Sequence, residues 1–365
     1  MVGGGIAGAS AVISLAQAGL TVVWLRPEWQ PNAEKVGESL APAANPILSS
    51  LGLSHIIEGG GHRRANTTFS AWGQAALVER NSVVHLEGAG RIIDRVKFES
   101  DLFSIANEAS TAVIEESLGT LIEEGGIWKL TTNKGIETEA YFVIDATGRT
   151  QVVGKVLQGN NKVVSETNDH LVAAYSFLQQ KEHSNVTPTP ATLIEAVENG
   201  WWYASLLPSG ALTLNFYSDP DLMPKGLISS LDKWLELIQQ TNHIAHWIAD
   251  AEFEIDSPPQ LASAATRWLV PVAGIHRKAG WAAIGDAAVA FDPLSAHGIT
   301  TALWAAARAP DFVKAYLAGD HQVLEDYVSS VEAGREAYLI QRDGLYCQEK
   351  RFQKHAFWAR RNSAR

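Results

Sequence analysis

Trp281-Ala282-Ala283-Ile284-Gly285-Asp286-Ala287-Ala288-Val289-Ala290-Phe291-Asp292-Pro293-Leu294-Ser295-Ala296-His297-Gly298-Ile299-Thr300-Thr301-Ala302-Leu303 is the stretch around which the chain is organised. Trp281 to Ile284 is a short apolar run that reads as a buried strand. The run stops at Gly285-Asp286, and helical spacing resumes after Gly298. Asp286 falls at the strand's carboxyl end, where a carboxylate can accept hydrogen bonds from a ligand's hydroxyls. Pro293 and Gly298 shape the turn and expose the first N–H groups of the next helix, a place for partial negative charge. Taken alone, the stretch also reads as an ordinary strand–turn–helix corner.

Two further stretches bear on that choice. Gly3-Gly4-Gly5-Ile6-Ala7-Gly8 opens the chain, and Ile144-Asp145-Ala146-Thr147-Gly148-Arg149 lies in its middle. In this order the three resemble the motifs of the FAD-dependent monooxygenase superfamily, in the branch that includes flavin-dependent halogenases. The resemblance implies an α/β fold, with an FAD-binding doubly wound, Rossmann-like domain, an inserted antiparallel-sheet substrate domain and C-terminal helices. It implies that Gly3, Gly5, Ile6, Ala7 and Gly8 hold the FAD pyrophosphate and that Asp145 and Gly148 form a second cofactor contact. Gly285, Asp286, Pro293, Gly298 and Ile299 would then hold the ribitol and set a helix end against the flavin ring.

The 365 residues suffice for a large core and read as two intimate domains. A hydrophobic content of 46% with 19% charged residues suits a globular protein. The formal charge of −11 argues against nucleic acid and against an anionic membrane surface as partners. Every apolar run is interrupted before it could span a bilayer. One cysteine, Cys347, excludes an internal disulfide framework, and no signal peptide is visible, so a cytoplasmic location is expected. No metal site is expected.

The expected FAD domain comprises 1–62, 87–163 and 266–320, the substrate domain 63–86 and 164–265, and 321–365 forms a C-terminal helical segment. Only Met1 and Val2 precede the glycine loop, where a dinucleotide-binding unit opens with a buried strand. Either that strand is lost from this start, or the sheet lacks its central strand. Ile6 to Ala18 reads as a helix and Leu20 to Leu25 as the next strand. The acidic residue expected at that strand's end, for the adenosine ribose, is replaced by Arg26. A cation cannot accept those hydrogen bonds; Glu28 or Glu34 could substitute only from a displaced loop.

Val36-Gly37-Glu38-Ser39-Leu40 resembles the family's Gly-Glu-Ser/Ala segment beside the flavin, which implicates Glu38 and Ser39; the plainer reading is a helix start capped by Ser39. Arg63 to Trp72 and Ser82 to Leu86 read as strands. Asp94 opens a helix resembling the family's Asp-Arg-x-x-Phe-Asp-x-x-Leu element, with Glu99 in place of Asp. Its Arg95 reads either as a cofactor contact or as a solvated arginine. Ile127 to Thr132 and Glu137 to Ile144 read as a hairpin that delivers Asp145. Arg149 lies near the pyrophosphate or pairs with a carboxylate. Four strands between Leu171 and Tyr217, then a helix from Leu227 to Gln239, make up the substrate domain. Pro310 to Leu317 and Gln322 to Lys354 read as helices. Lys350, Arg351, Lys354, Arg360, Arg361 and Arg365 stand among Phe352, Phe357 and Trp358; this tail reads as a helix folded back on the FAD domain or as a docking surface for an acidic partner.

One nucleotide fingerprint implies an external electron donor, NAD(P)H or a flavin reductase. Halogenases of the branch carry Trp-x-Trp-x-Ile-Pro and a lysine. Here Gly200-Trp201-Trp202-Tyr203-Ala204-Ser205-Leu206-Leu207-Pro208 breaks the spacing, and no lysine lies between Arg63 and Trp72. Gly-Glu-Ser, Gly-Trp-Trp-Tyr before Leu-Pro, Asp-Pro-Leu-Ser and Phe-Trp-Ala-Arg-Arg resemble instead the flavoproteins that mature the cysteine tryptophylquinone cofactor of bacterial glycine oxidase and lysine ε-oxidase. That resemblance implies an FAD-dependent monooxygenase hydroxylating a tryptophan side chain of a precursor quinoprotein oxidase. Trp201 and Trp202 would face that substrate or, equally, form sheet core. His297 would assist catalysis as a protonated partner of the reduced flavin, or serve only as a helix-start residue. Glu38 is a further catalytic candidate. The alternatives are a halogenase or reductase acting on a small aromatic molecule, and a maturation scaffold with a degenerate flavin site.

Overall fold

The computed structural model describes residues 1–28, 35–81, 87–158 and 163–362. Glu34, the strand expected at Ser82 to Leu86, and Arg365 lie outside the described residues. The chain forms two compact units: Met1–Gly60, Arg95–Asn168 and Thr266–Tyr338 make the first, and Gly61–Asp94, Asp169–Ala265 and Leu339–Arg365 the second.

In the first unit, strands Val23–Arg26 and Ala112–Glu115 pair in parallel, as do Phe142–Asp145 and Ala279–Ala283. Met1 to Gly3 fills the space between the two pairs. Val2 bridges in parallel to Leu25 on one side and to Asp145 on the other. Its N–H donates to the Ile144 carbonyl at 2.9 Å, and its carbonyl accepts from Ala146 N at 2.7 Å. Val2 therefore bridges the two strand pairs. Both neighbouring strands need backbone partners, and three residues supply enough of them to join the sheet.

Two helices pack beside this sheet, Ile6–Gln17 and Gly298–Leu317. Ala9, Ala11, Ala306 and Ala309 are fully buried on them, so small side chains bring the backbones close. Pro310 lies inside the second helix rather than at the start of a separate one. Proline removes one N–H from the ladder, and the helix nonetheless stays continuous because Leu303, Ala306 and Phe312 anchor it on both sides of the break.

The expected hairpin is corrected at Tyr141. Glu137–Ala140 pairs antiparallel with Ile127–Thr132, whereas Phe142–Asp145 belongs to the parallel sheet. The charged, alternating residues suit a one-sided sheet, and the apolar Phe-Val-Ile run suits burial on both faces.

The second unit is built on a mainly antiparallel sheet in the order Phe253–Glu254, Val172–Gln180, Leu212–Ser218, Gly200–Leu206, Thr192–Val197, Thr67–Ala71, Val78–Asn81. The helix expected over Leu227 to Gln239 is shorter. Leu227–Ser229 is a 3-10 turn, Ser230 is extended, and its hydroxyl accepts from Lys233 N to cap helix Leu231–Gln239. A second helix, His243–Asp250, follows. Trp234, Ile238, Ile244 and Ile248 from this pair bury one face of the sheet against Trp202, Leu214 and Phe216.

The tail belongs to this unit. After the helix Gln322–Gln348 the chain turns into Ala356–Asn362, and Trp358 donates to the Val197 carbonyl at 2.8 Å. Arg360 reaches Asp219 and Asp221 at 2.8 and 2.7 Å, and Arg361 reaches Asp219 at 2.7 Å. The reading of this segment as folded back on the FAD domain is thereby corrected: carboxylates at the end of strand Leu212–Ser218 hold it. Among the described residues, no helix is long and apolar enough to cross a membrane.

Candidate cofactor site

Close backbone crossings assemble the site in the first unit. Gly3 adopts φ +122°, and a Cβ there would lie 2.2 Å from the Ala146 carbonyl oxygen. Only glycine lets the first motif cross the second at that spacing. A Cβ on Gly8 would come equally close, 2.2 Å, to the Gly3 carbonyl oxygen. Gly5 is different. Its φ of −88° is ordinary, and nothing lies within 4 Å of where a Cβ would stand. It precedes a helix with no side-chain cap and no acidic first-turn residue, so no side chain at this terminus competes for the first N–H groups. Ile6 and Ala7 behind it are buried.

Asp145 ends its strand fully buried. One carboxylate oxygen accepts from Thr147 N at 2.9 Å and from Thr147 Oγ1 at 2.6 Å, and the other accepts from Gly154 N at 3.0 Å. Burial pushes its pKa up, and these donors pull it back. The carboxylate expected to touch the cofactor is thus directed into its own loop. What it presents is Gly148, held at φ +63°.

Gly285 sits where both helices pinch the third motif. Its φ is +57°, and a Cβ would lie 2.9 Å from Ala7 Cβ and 3.4 Å from Ala302 Cβ. Asp286 follows, with Oδ2 3.4 Å from Arg149 Nε, and Arg149 Nη2 donates to the Phe291 carbonyl at 3.0 Å. Arg149 therefore joins the second motif to the third. Burial pushes the Asp286 pKa up while Arg149 and Arg95 push it down. With 37% of the side chain still accessible, the carboxylate stays available to a ligand.

Asp292 Oδ1 accepts from Leu294 N at 2.9 Å and starts the turn Pro293–Ser295; Ala296 at φ +52° then leads into His297, the N-cap of helix Gly298–Leu317. Among the described residues the His297 imidazole makes no hydrogen bond, and burial lowers its pKa. Burial without a carboxylate partner works against the protonated form expected of this ring. Ile299 is buried, and the enclosed Thr300 Oγ1 has no partner among the described residues. The sequence reading passed over Thr300, Ala146 and Thr147. Only Thr147 carried a local signal, a hydroxyl two residues after an aspartate at a turn.

Arg95 does not extend into open space. It donates to the Val36 carbonyl at 3.1 Å and the Gly37 carbonyl at 2.6 Å, and it pairs with Glu99. Gly37 (φ +94°) leaves room for that guanidinium. Lys35 also reaches Glu99, at 2.6 Å. Burial alone would raise the Glu99 pKa, but Arg95 and Lys35 outweigh it and hold the carboxyl below its usual range. Ser39–Leu40 is extended, so the helix start expected at Ser39 is replaced by a short strand. Glu38 is buried and accepts from Gly37 N at 3.0 Å. Arg26 is buried, its guanidinium 2.7 Å from Glu115 Oε1 and 4.9 Å from the Trp24 ring centre, with its stem beside Gly4. The cation that breaks the family pattern is neutralised inside the unit.

Trp201 and Trp202 belong to the second unit. Alternation along strand Gly200–Leu206 sends them to opposite faces. Trp202 packs on Trp234 and Phe216 with ring centres 5.0 and 4.9 Å apart. Trp201 stacks on Tyr217 at 4.1 Å and donates to the Tyr346 hydroxyl at 3.1 Å. Both indoles are buried to 1% exposure or less, so packing accounts for both and their catalytic reading is corrected.

A glycine-lined helix start, two further crossing motifs and an accessible carboxylate at strand ends define a flavoprotein oxidoreductase, and the open space at Gly5 fits FAD. Residues 89–322 match the tryptophan halogenase family, more than half of the chain, and the protein belongs to that family. It is 24% identical over 370 residues to the putative FAD-dependent oxidoreductase LodB of Marinomonas mediterranea, covering 100% of this chain and 96% of that one. Its fold is similar to that of the myxobacterial chondrochloren halogenase CndH (TM-score 0.83, 19% identity, covering 100% and 86% of the two chains). It is also similar to the peptidyl tryptophan dihydroxylase QhpG, essential for tryptophylquinone cofactor biogenesis (TM-score 0.74, 21% identity, covering 99% and 77%).

Proposed function

We propose that this FAD-dependent oxidoreductase is a monooxygenase that hydroxylates a tryptophan side chain of a precursor quinoprotein oxidase, during biogenesis of cysteine tryptophylquinone. The observation that carries the reading is the fold likeness to a peptidyl tryptophan dihydroxylase essential for tryptophylquinone cofactor biogenesis, and the end-to-end similarity to LodB, a putative FAD-dependent oxidoreductase, supports the flavin chemistry. Bound FAD supplies the redox chemistry that activates dioxygen for attack on an electron-rich ring.

The chain's own residues do the binding and the positioning. Gly5, Ile6 and Ala7 offer N–H groups to the diphosphate, and Gly3 and Gly8 let the chain approach. Asp286, oriented by Arg149, would accept from the ribityl hydroxyls, with Gly148 adding no side chain beside them. Pro293 fixes the turn before Gly298 and Ile299, whose helix end takes partial negative charge. The unpartnered Thr300 Oγ1 would donate to the cofactor. Glu38 and Ser39, next to the Val36 and Gly37 carbonyls that Arg95 holds, would border it. His297, at the N-cap of helix Gly298–Leu317, would offer an imidazole nitrogen for proton transfer beside the cofactor. The external electron donor is NAD(P)H or a flavin reductase, and the reaction is cytoplasmic.

Halogenation of a small aromatic molecule is the second reading, favoured by the family match and the likeness to CndH. Co-expression with a precursor quinoprotein oxidase separates the two. Peptide mass spectrometry is expected to find added oxygen on a precursor tryptophan, absent when Gly5→Leu replaces the wild type. Unmodified precursor held in a stable complex would instead mark a scaffold, and chlorinated or brominated free tryptophan a halogenase.

A further inference from the structure

At the amino ends of strands Phe142–Asp145 and Ala279–Ala283 lies a cleft of about 480 Å³. Its apolar walls are Tyr141, Ile275 and Leu317, exposed by 65%, 42% and 48%. Its cations are Arg277 and Lys278, with His321 beyond them. Tyr316 closes the floor and donates to the Lys278 carbonyl at 2.8 Å.

The loop that carries the cations is unusual. Arg277 and Lys278 join Ala273–His276 to Ala279–Ala283 as a two-residue hairpin turn, and Arg277 stands at φ +53°. Asn or Gly ordinarily occupies such a position, because a side chain there is strained. The guanidinium stands at the rim with 64% of the side chain exposed, donating to the Glu123 carbonyl at 3.3 Å and 3.8 Å from the Glu123 carboxylate. Lys278 makes no ion pair among the described residues. The last-turn carbonyls of helix Gly298–Leu317, which would repel an anion, are taken up: Lys314, Ala315 and Tyr316 accept from Ala318, Asp320 and Gly319. Asp320, the nearest acid in sequence, caps Gln322 N at 2.9 Å.

The cleft is remote from the cofactor end. The two strands put it roughly 15 Å from their carboxyl ends. The start of helix Gly298–Leu317 is about 30 Å away along the helix. Walls this exposed do not enclose a small ligand, which true pockets bury by about 70–90%. On a chain of net charge −11 the site is a local basic, apolar exception.

We infer that this cleft docks an acidic segment of a partner protein, seating an apolar or aromatic side chain between Tyr141, Ile275 and Leu317 and its carboxylates on Arg277 and Lys278. Docking here leaves the cofactor site untouched, so the inference stands apart from the reaction proposed above.

The test uses the FAD-loaded protein and a fluorescein-labelled peptide, Glu-Asp-Glu-Phe-Leu-Asp-Glu, with a control in which lysine replaces every acid. Fluorescence anisotropy is expected to show binding of the acidic peptide alone, weakened by salt. Lys278→Glu is expected to weaken it about tenfold. Arg277→Gly should weaken it several-fold while the melting temperature holds or rises, because glycine relieves the strained φ. FAD content should be unchanged in both variants. Equal binding of the two peptides, or undiminished binding in both variants, would overturn the inference. So would a failure of the acidic peptide to bind while the small anion 8-anilinonaphthalene-1-sulfonate binds in a manner sensitive to Lys278→Glu.

Discussion

Two glycines of the same motif set behave oppositely, and the difference is measurable. Gly285 is required by packing: a methyl there meets Ala7 and Ala302 at a positive φ. Gly285→Ala is expected to cost about 2–4 kcal/mol in urea unfolding, from backbone strain and overpacking together. Gly5 has an ordinary backbone and empty space before it. Gly5→Leu is expected to leave the stability of the FAD-free protein within about 0.5 kcal/mol while FAD is lost, because the side chain enters cofactor space only. Equal destabilisation by both would contradict the assignment. Glu99 gives a pH signature. Its folded pKa lies below the ordinary 4.5, so its stabilisation is complete above that pH and is lost as pH falls through the folded value. Glu99→Gln should cost about 1–3 kcal/mol at neutral pH and flatten that acid limb of the stability profile.

Among the elements, helix His243–Asp250 shows what the sequence hid. Its start lacks a side-chain cap of its own. Glu195, from strand Thr192–Val197, reaches across instead: one oxygen accepts from Asn242 N at 2.7 Å, the other from His243 N and Ile244 N at 3.0 and 2.9 Å. Glu195→Ala is expected to lower stability by about 1.5–3 kcal/mol in urea unfolding, without loss of FAD. A loss no larger than that of a surface substitution would mean that solvent caps the helix equally well. A cap supplied 47 residues away leaves no local pattern for a sequence reading to find. By contrast the strands at Val172, Thr192, Gly200 and Leu212 were legible, because apolar runs bounded by turn residues carry their own signal. Trp201 and Trp202 were legible as a strand but not as core, since each is buried by a different neighbouring layer.

For the whole molecule, the order of three short motifs was enough to read the cofactor fold, because each glycine answers a backbone approach that persists whatever the surrounding sequence. Arg26 and the short start argued for a degenerate site. Within the first unit, Glu115 and Trp24 take up the arginine, and Val2 bridges Leu25 and Asp145. Glu115 lies far along the chain from Arg26, so that pairing left no local pattern to read. The basic tail was misread for a related reason, since Asp219 and Asp221, which neutralise it, lie about 140 residues earlier. The most direct measurement is the visible absorption spectrum and flavin stoichiometry of the purified chain beside its Gly5→Leu variant. Near-stoichiometric FAD in the wild type and a colourless variant as stable as the FAD-free wild type are the predicted result. A colourless wild type that takes up no added FAD, or full FAD in the variant, would contradict the account.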